Sequence, residues 1–399
     1  MTAAGLDWRT GLDRGTTGRP RGSLRNALHA FRKAPEWDGV LAHNELTHYV
    51  NTRRPTPWGL ETEAWTDNDD TRACEWLQEQ DIQVGCDIAF RAVQLVASEH
   101  PYHPVSDYLN GLAWDGVPRI ALWLRFYLRA DPNPSLEYLE AVGAKWLIAA
   151  VARAFRPGCK VDTCLILQGP QGFYKSTVFQ ILGGKWFADQ LSNIASKDAC
   201  MQLRVWIMEL AEFDVALKSD PASLKAFLTR QYDHFRPPYG RRVIDLARPC
   251  IFSGTVNDDE YLQDPTGGRR FWPVSMEKMD RRSLGVLERD RDQLWAEAVV
   301  RYRSGEVWWL NDSMEAEAEQ AQLERLDTDE WTEKVLDFVA RCPEPAISLT
   351  DILQYCICKP LKEQNRTDKV RVGRIMRAAG WRYKLVGPHA SQVRRYVRF

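Results

Sequence analysis

The segment Thr163-Cys-Leu-Ile-Leu-Gln-Gly-Pro-Gln-Gly-Phe-Tyr-Lys-Ser-Thr177 runs from an apolar stretch through two glycines into a lysine and two hydroxyls. Residues of these types in this order suit a triphosphate. The loop Gly169, Pro170, Gln171, Gly172, Phe173 and Tyr174 would curl so that backbone N–H groups face phosphate oxygens. A helix opening at Lys175 would add the partial positive charge of its amino end. Lys175 would neutralise the β- and γ-phosphates of ATP, Ser176 would set its hydroxyl on Mg²⁺, and Thr177 carries the helix onward. One position departs from the usual pattern: Tyr174 stands where such loops carry glycine, and a Cβ there restricts the backbone.

Three further segments offer matching chemistry. Arg204-Val-Trp-Ile-Met-Glu-Leu-Ala-Glu-Phe-Asp214 reads as a buried strand ending in acids. One carboxylate beside the loop would hold the Mg²⁺ water shell and a second would orient or deprotonate the attacking water. Glu209 is assigned to the metal and Glu212 to the water, and the reversed order serves the same chemistry. Arg248-Pro-Cys-Ile-Phe-Ser-Gly-Thr-Val-Asn257 is another apolar strand, finishing in an amide that would read the γ-phosphate or hold the lytic water. Asp264-Pro-Thr-Gly-Gly-Arg-Arg-Phe-Trp-Pro273 presents two planar guanidinium groups, so Arg269 or Arg270 would reach a phosphate held by a neighbouring copy. Each segment has a plainer reading, as a strand end with solvated acids, a turn-forming Asn or a loop with exposed arginines; their joint occurrence favours the phosphate chemistry.

These residues need a scaffold, and the texture of the chain supplies one. Residues 1–22 are rich in Gly, Thr and Arg without apolar period and read as a flexible basic arm. Residues 23–110 read as a small α-helical domain, and 111–158 as a helical collar in which Leu136 to Phe155 keeps the helical period and stops at Arg156-Pro-Gly158. Short β-rich runs alternating with helical ones over 159–310 predict a three-layer α/β/α domain with a mostly parallel sheet. Within it, His234 to Asp245 predicts two extended arms about a Tyr-Gly turn bearing Arg241 and Arg242, suited to gripping a single strand of nucleic acid. An acidic helical connector occupies 311–328. Residues 329–399 predict three helices and a hairpin, the winged-helix pattern. There Lys369, Arg371, Arg374 and Arg377 recur at helical spacing, and Arg394 and Arg395 lie on the hairpin, so one cationic face would meet DNA.

Composition agrees. With 44% hydrophobic and 27% charged residues the 399-residue chain is long enough for several cores. The net charge of −1 hides an uneven distribution, since Lys359 to Phe399 carries twelve basic residues against two acidic ones. The nine cysteines are scattered without C-x-x-C spacing, which suits thiols in a reducing compartment. His100 and His103 lie in a Pro-rich loop without neighbouring cysteines. No apolar run is long enough to cross a bilayer and the first thirty residues carry no signal core, so a cytoplasmic protein with no membrane partner is expected.

Trp114-Asp-Gly-Val-Pro-Arg119, Gly169-Pro-Gln-Gly172, Trp206-Ile-Met-Glu-Leu-Ala-Glu212, Pro238-Tyr-Gly-Arg241 and Thr266-Gly-Gly-Arg-Arg-Phe-Trp-Pro273 together resemble the virulence-associated protein E family. That family is similar to AAA+ motors of the third helicase superfamily and occurs in phages, prophages and phage satellites. The resemblance implies a multidomain α/β chain with an AAA+-like P-loop core, ATP and Mg²⁺ as ligands, a homo-oligomeric and hexameric ring, and single-stranded DNA in its channel. It implies a replicative helicase; the alternative is an ATP-binding, DNA-binding initiator or switch in which Tyr174 makes turnover slow.

Overall fold

The computed structural model describes residues 7–59, 63–191, 194, 199–211, 213, 221–236, 243–257, 270–323, 331–342, 346–386 and 393–397. Its centre is a five-stranded, all-parallel sheet in the order β10-β4-β9-β6-β5, formed by Phe271–Ser275, Cys164–Gln168, Ile251–Val256, Ile207–Leu210 and Phe187–Ala188. Parallel strands buried on both faces need apolar side chains at every position, and β4 and β9 are buried throughout. Alternation divides them between two cores. Leu165 and Leu167 of β4 face the helices Leu136–Phe155, Lys175–Gly183 and Arg281–Arg303, whereas Cys164 and Ile166 face the helix Pro221–Thr229 through Leu224, Phe227 and Leu228. The chain is therefore a mixed α/β protein with helices against a parallel sheet.

The Leu136–Phe155 helix is almost wholly buried, and its Trp146 Nε1 donates to Phe252 O of β9 at 3.0 Å. Ser135 caps its amino end by accepting from Tyr138 N at 3.0 Å. The Trp114–Arg119 motif docks onto the Arg281–Arg303 helix, where the buried Glu297 carboxylate accepts from Arg119 N and, at 3.0 Å, from Ile120 N. Asp312–Leu323 forms a helix that is more than a connector: Ala318 and Ala321 are buried and Gln322 Nε2 donates to Phe271 O at 2.6 Å.

Two expectations for the first hundred residues are corrected. Residues 7–22 are not a flexible arm; Leu12 is buried, and the buried Asn26 amide accepts from Asp13 N at 2.8 Å and donates to Asp13 O and Arg21 O at 2.7 and 2.8 Å. Backbone polarity is satisfied here by backbone contacts such as Arg21 N to Asp13 O at 2.9 Å together with the Asn26 side chain. The following unit is not all-helical either: β1 (Leu41–Asn44), β2 (Tyr49–Thr52) and β3 (Pro101–Tyr102) form a sheet in the order β2-β1-β3 beside helices Leu24–Lys33, Asp67–Glu79 and Cys86–Ser98. Phe31, Trp37 and Trp76 stack at its centre. His103 caps the helix Pro104–Asn110, its Nδ1 accepting from Ser106 N at 3.2 Å.

A hairpin of β7 (Tyr232–Phe235) and β8 (Ile244–Ala247) leads directly into β9. Its base is held by the buried pair Arg248–Asp233, with Arg248 Nε donating to Asp233 Oδ2 at 3.0 Å. At the C-terminal end, helix Thr332–Arg341, β11 (Ala346–Ile347), helical turns from Leu349 to Cys356, helix Arg366–Ala378, β12 (Arg382–Val386) and β13 (Val393–Val397) follow in that order. The small sheet runs β11-β13-β12 around its own core of Val335, Ile352, Val372, Met376 and Trp381. Among the described residues no helix is long and apolar enough to cross a membrane.

Replacing Asn26 with Ala removes three part-buried hydrogen bonds to the Asp13 and Arg21 backbone, and the variant should lose about 1–3 kcal/mol of stability in thermal denaturation. It should also become cleavable by trypsin at Arg14 and Arg21, sites that stay resistant in the parent.

Candidate functional site

The chain leaves β4 towards the β5 edge of the sheet and leaves β9, its neighbour, towards the β10 edge. Adjacent strands departing in opposite directions open a crevice beyond their carboxyl ends, the usual ligand position in open α/β sheets. The residues following β4 and β9 are Gly169 and Asn257.

Gly169 adopts φ 153°, and a Cβ there would come within 3.2 Å of Met276 O and 3.0 Å of the Phe173 ring. Gly172 has φ 85° in open surroundings, so its requirement is conformational. Tyr174 sits at φ 63°, ψ 25°, the left-handed region that glycine fills at no steric cost. The tyrosine keeps the turn that a glycine would make, at a cost of roughly 1–2 kcal/mol, and its ring lies at the surface. The helix Lys175–Gly183 then starts with its amino end directed at the loop.

Two polar contacts close the crevice. Lys175 is buried, and its Nζ donates to Gly169 O, to Pro170 O at 3.0 Å and to Asn257 Oδ1 at 2.9 Å. Glu209, on β6 and fully buried, accepts at Oε1 from Ser176 Oγ and from Thr255 Oγ1, both at 2.7 Å. Among the described residues its Oε2 is buried without a hydrogen-bond partner. Burial pushes the Glu209 carboxyl above its ordinary pKa; the Ser176 and Thr255 hydroxyls pull it back, the Asp189 charge adds to the rise and Lys175 opposes it. Burial likewise pushes the Lys175 ammonium down, with the Glu209 charge opposing. In both groups desolvation disfavours the charged form, a perturbation typical of functional sites. Thr255 is the residue that the motif spacing alone does not single out. It lies on β9 two positions before Asn257, the residue that follows the strand, a spacing that puts both side chains on one side where the extended backbone continues.

The remaining candidates divide. Arg270 is at the opposite end of the sheet: it precedes Phe271, which pairs with Cys164 at the start of β4, and its Nε lies 4.0 Å from Asp162 Oδ2. A strand of five residues separates it from the loop after Gln168, roughly 17 Å, so it does not join the cradle of its own chain. Glu212, Arg269, Arg241 and Arg242 lie outside the described residues. In the C-terminal unit Lys369 is exposed, while the Arg371 guanidinium packs 4.0 Å over the Trp331 ring and Arg395 Nη1 donates to Ala346 O at 3.4 Å. Arg374 and Arg377 share the Arg366–Ala378 helix with Lys369 and Arg371, and Arg394 lies beside Arg395 on β13.

Fold and site together define an α/β protein with a cluster of lysine, carboxylate, hydroxyl and amide groups at the carboxyl ends of its parallel strands. Residues 109–327, more than half of the chain, match the Virulence-associated protein E-like domain. The chain belongs to that family. Among solved structures it is similar to the apo structure of the NrS-1 C terminal region (305-718), at 13% identity and a TM-score of 0.49, over 92% of this chain and 100% of that one. It is also similar to the A form apo structure of the same region, at 12% identity and a TM-score of 0.47, over 90% and 96% of the two chains. No curated protein matches the sequence.

A carboxyl with a raised folded-state pKa weakens the fold as pH climbs from its unfolded value, about 4.3 for Glu, through the folded one. Glu209→Gln removes this dependence. Thermal midpoints taken from pH 4.5 to 8 without nucleotide should therefore show the variant gaining on the parent as pH rises; a gap that stays constant contradicts the burial of an ionising Glu209.

Proposed function

We propose that the chain is an ATP-hydrolysing DNA motor of the AAA+ class, a helicase serving the replication of a phage or mobile element, with the Gly169–Thr177 segment as its P-loop. The single observation that carries the reading is the pair of contacts Lys175–Asn257 and Ser176–Glu209–Thr255, which gathers phosphate-neutralising, metal-holding and γ-phosphate-reading groups at one topological switch point.

The residues fit Mg²⁺ and ATP. The unpartnered Glu209 Oε2 and the Ser176 hydroxyl are hard oxygen donors of the kind Mg²⁺ takes alongside phosphate oxygens and water. Bound there, Mg²⁺ would neutralise developing charge on the phosphates. Lys175 would turn its ammonium from the loop carbonyls to the β- and γ-phosphates, and Asn257, released from Lys175, would orient the lytic water or the γ-phosphate. Glu212 takes the water proton as ATP gives ADP and phosphate. Arg269 or Arg270 completes the site of an adjacent copy in a ring, in keeping with the distance of Arg270 from its own loop.

The DNA assignment rests on two elements. The β7–β8 hairpin would carry Arg241 and Arg242 into a channel to grip phosphates of a single strand. The C-terminal order of helix, strand, helix, helix and hairpin supports a winged helix, with Lys369, Arg371, Arg374, Arg377, Arg394 and Arg395 as its basic face. The strained Tyr174 backbone favours one variant of this reading, an initiator or switch with slow turnover.

ATP hydrolysis measured with and without single-stranded DNA tests the proposal. The parent should hydrolyse ATP faster with DNA, and Lys175→Ala should abolish both rates. Undiminished hydrolysis in that variant refutes the site. ATP-dependent separation of a forked duplex distinguishes the helicase from the slow switch.

A further inference from the structure

Arg204 lies where three parts of the chain meet. It precedes β6 and is five residues before Glu209. Its Nη1 donates to Thr47 O at 2.7 Å, in the turn joining β1 to β2. Its guanidinium also lies 5.1 Å from the Tyr49 ring of β2 and 5.9 Å from the Phe235 ring of β7. Among the described residues its Nε is buried without a hydrogen-bond partner, so the group is held by its donor contact to Thr47 O and its approach to the two rings.

Each of the three partners is itself fixed or strategically placed. In the β1–β2 turn the Asn44 side chain accepts from Leu46 N and Thr47 N at 2.9 and 3.2 Å, and Leu46 is buried in the core of the large sheet. The turn is therefore a rigid peg of the N-terminal unit seated in the central domain. Phe235 pairs with Ile244, the rung of the hairpin ladder nearest the 237–242 segment. β6 is an inner strand and carries Glu209 towards its carboxyl end. At its other end the hairpin is fastened by Arg248–Asp233. A hairpin pivoting on that fastening must slide Phe235 across the Arg204 guanidinium, whose far side is held by Thr47 and Tyr49.

We infer that Arg204 is a positioning residue through which the N-terminal unit sets the resting position of the β7–β8 hairpin and links it to the strand bearing Glu209. The inference rests on the proposed role of that hairpin in gripping DNA. The unit containing residues 41–52 then serves as the fixed stop against which the hairpin moves.

The test uses the full chain with Arg204→Met, which keeps the apolar stem and removes the donor and the planar charge, and Tyr49→Ala, an exposed position in another unit that leaves the core intact. Thermal midpoint, basal ATP turnover and KM for ATP should stay close to the parent in both. DNA stimulation should fall by about fivefold or more, the lower bound of a typical coupling between sites. Arg204→Lys, which keeps a donor for Thr47 O without the flat contact, should recover only part of it. Parental stimulation in both Arg204→Met and Tyr49→Ala overturns the inference. Hydrogen exchange on the Tyr49→Ala chain supplies an arm independent of ATP and DNA: amides in 232–235 and 244–247 should exchange faster than in the parent, and unchanged protection overturns the inference. Faster exchange in a chain that ignores DNA would uphold the link and instead remove the DNA role of the hairpin.

Discussion

One buried carboxylate holds the centre of this molecule together. Glu209 accepts hydroxyl hydrogen bonds from Ser176 at the head of a helix and Thr255 on a neighbouring strand, segments 33 and 46 residues away in the chain. Burying an ionisable group in this way weakens a fold unless its lone pairs are satisfied, and one oxygen of Glu209 remains without a partner. Under the proposed function, a ligand completing the carboxylate would offset that cost. Lys175 presents the complementary case, an ammonium turned onto carbonyls of its own loop and onto Asn257.

Everything around this pair serves to bring four segments to one crevice. The strand order puts β9 between β4 and β6, so Thr255 and Asn257 bridge the distance between the glycine loop and Glu209. The helices Leu136–Phe155 and Arg281–Arg303 bury one face of that sheet with a near-continuous apolar core, which keeps the strand ends from shifting against one another. The hairpin enters β9 at the strand end opposite Asn257, so one strand joins its base to the crevice.

The parts legible in the sequence are those whose signal is local and apolar. The Leu136–Phe155 helix has its full period and its Ser135 cap, and β4 and β9 are mainly apolar, wholly buried strands ahead of a glycine loop and an asparagine. The order in residues 7–22 is invisible there because the Asn26 amide holds them through backbone contacts, which no hydrophobic pattern records. The strands Leu41–Asn44 and Tyr49–Thr52 are four residues each and include His43, Asn44 and Asn51, too short and too polar to alternate visibly. Arg270 is recognisable as a candidate from its motif, yet its position follows only from the parallel pairing of β10 with β4, a long-range fact that puts the residue before β10 at the amino end of the sheet.

The central claim is that Glu209 and Ser176 hold a divalent cation on a nucleotide seated in the Gly169–Thr177 loop. Calorimetric titration of ATP into the parent chain and into Glu209→Gln, each with Mg²⁺ and with Mg²⁺ chelated, addresses it most directly. Mg²⁺ should tighten binding to the parent by about tenfold, near 1.4 kcal/mol, and the variant should lose this dependence. Binding of equal strength in all four titrations, or none in any, would contradict it.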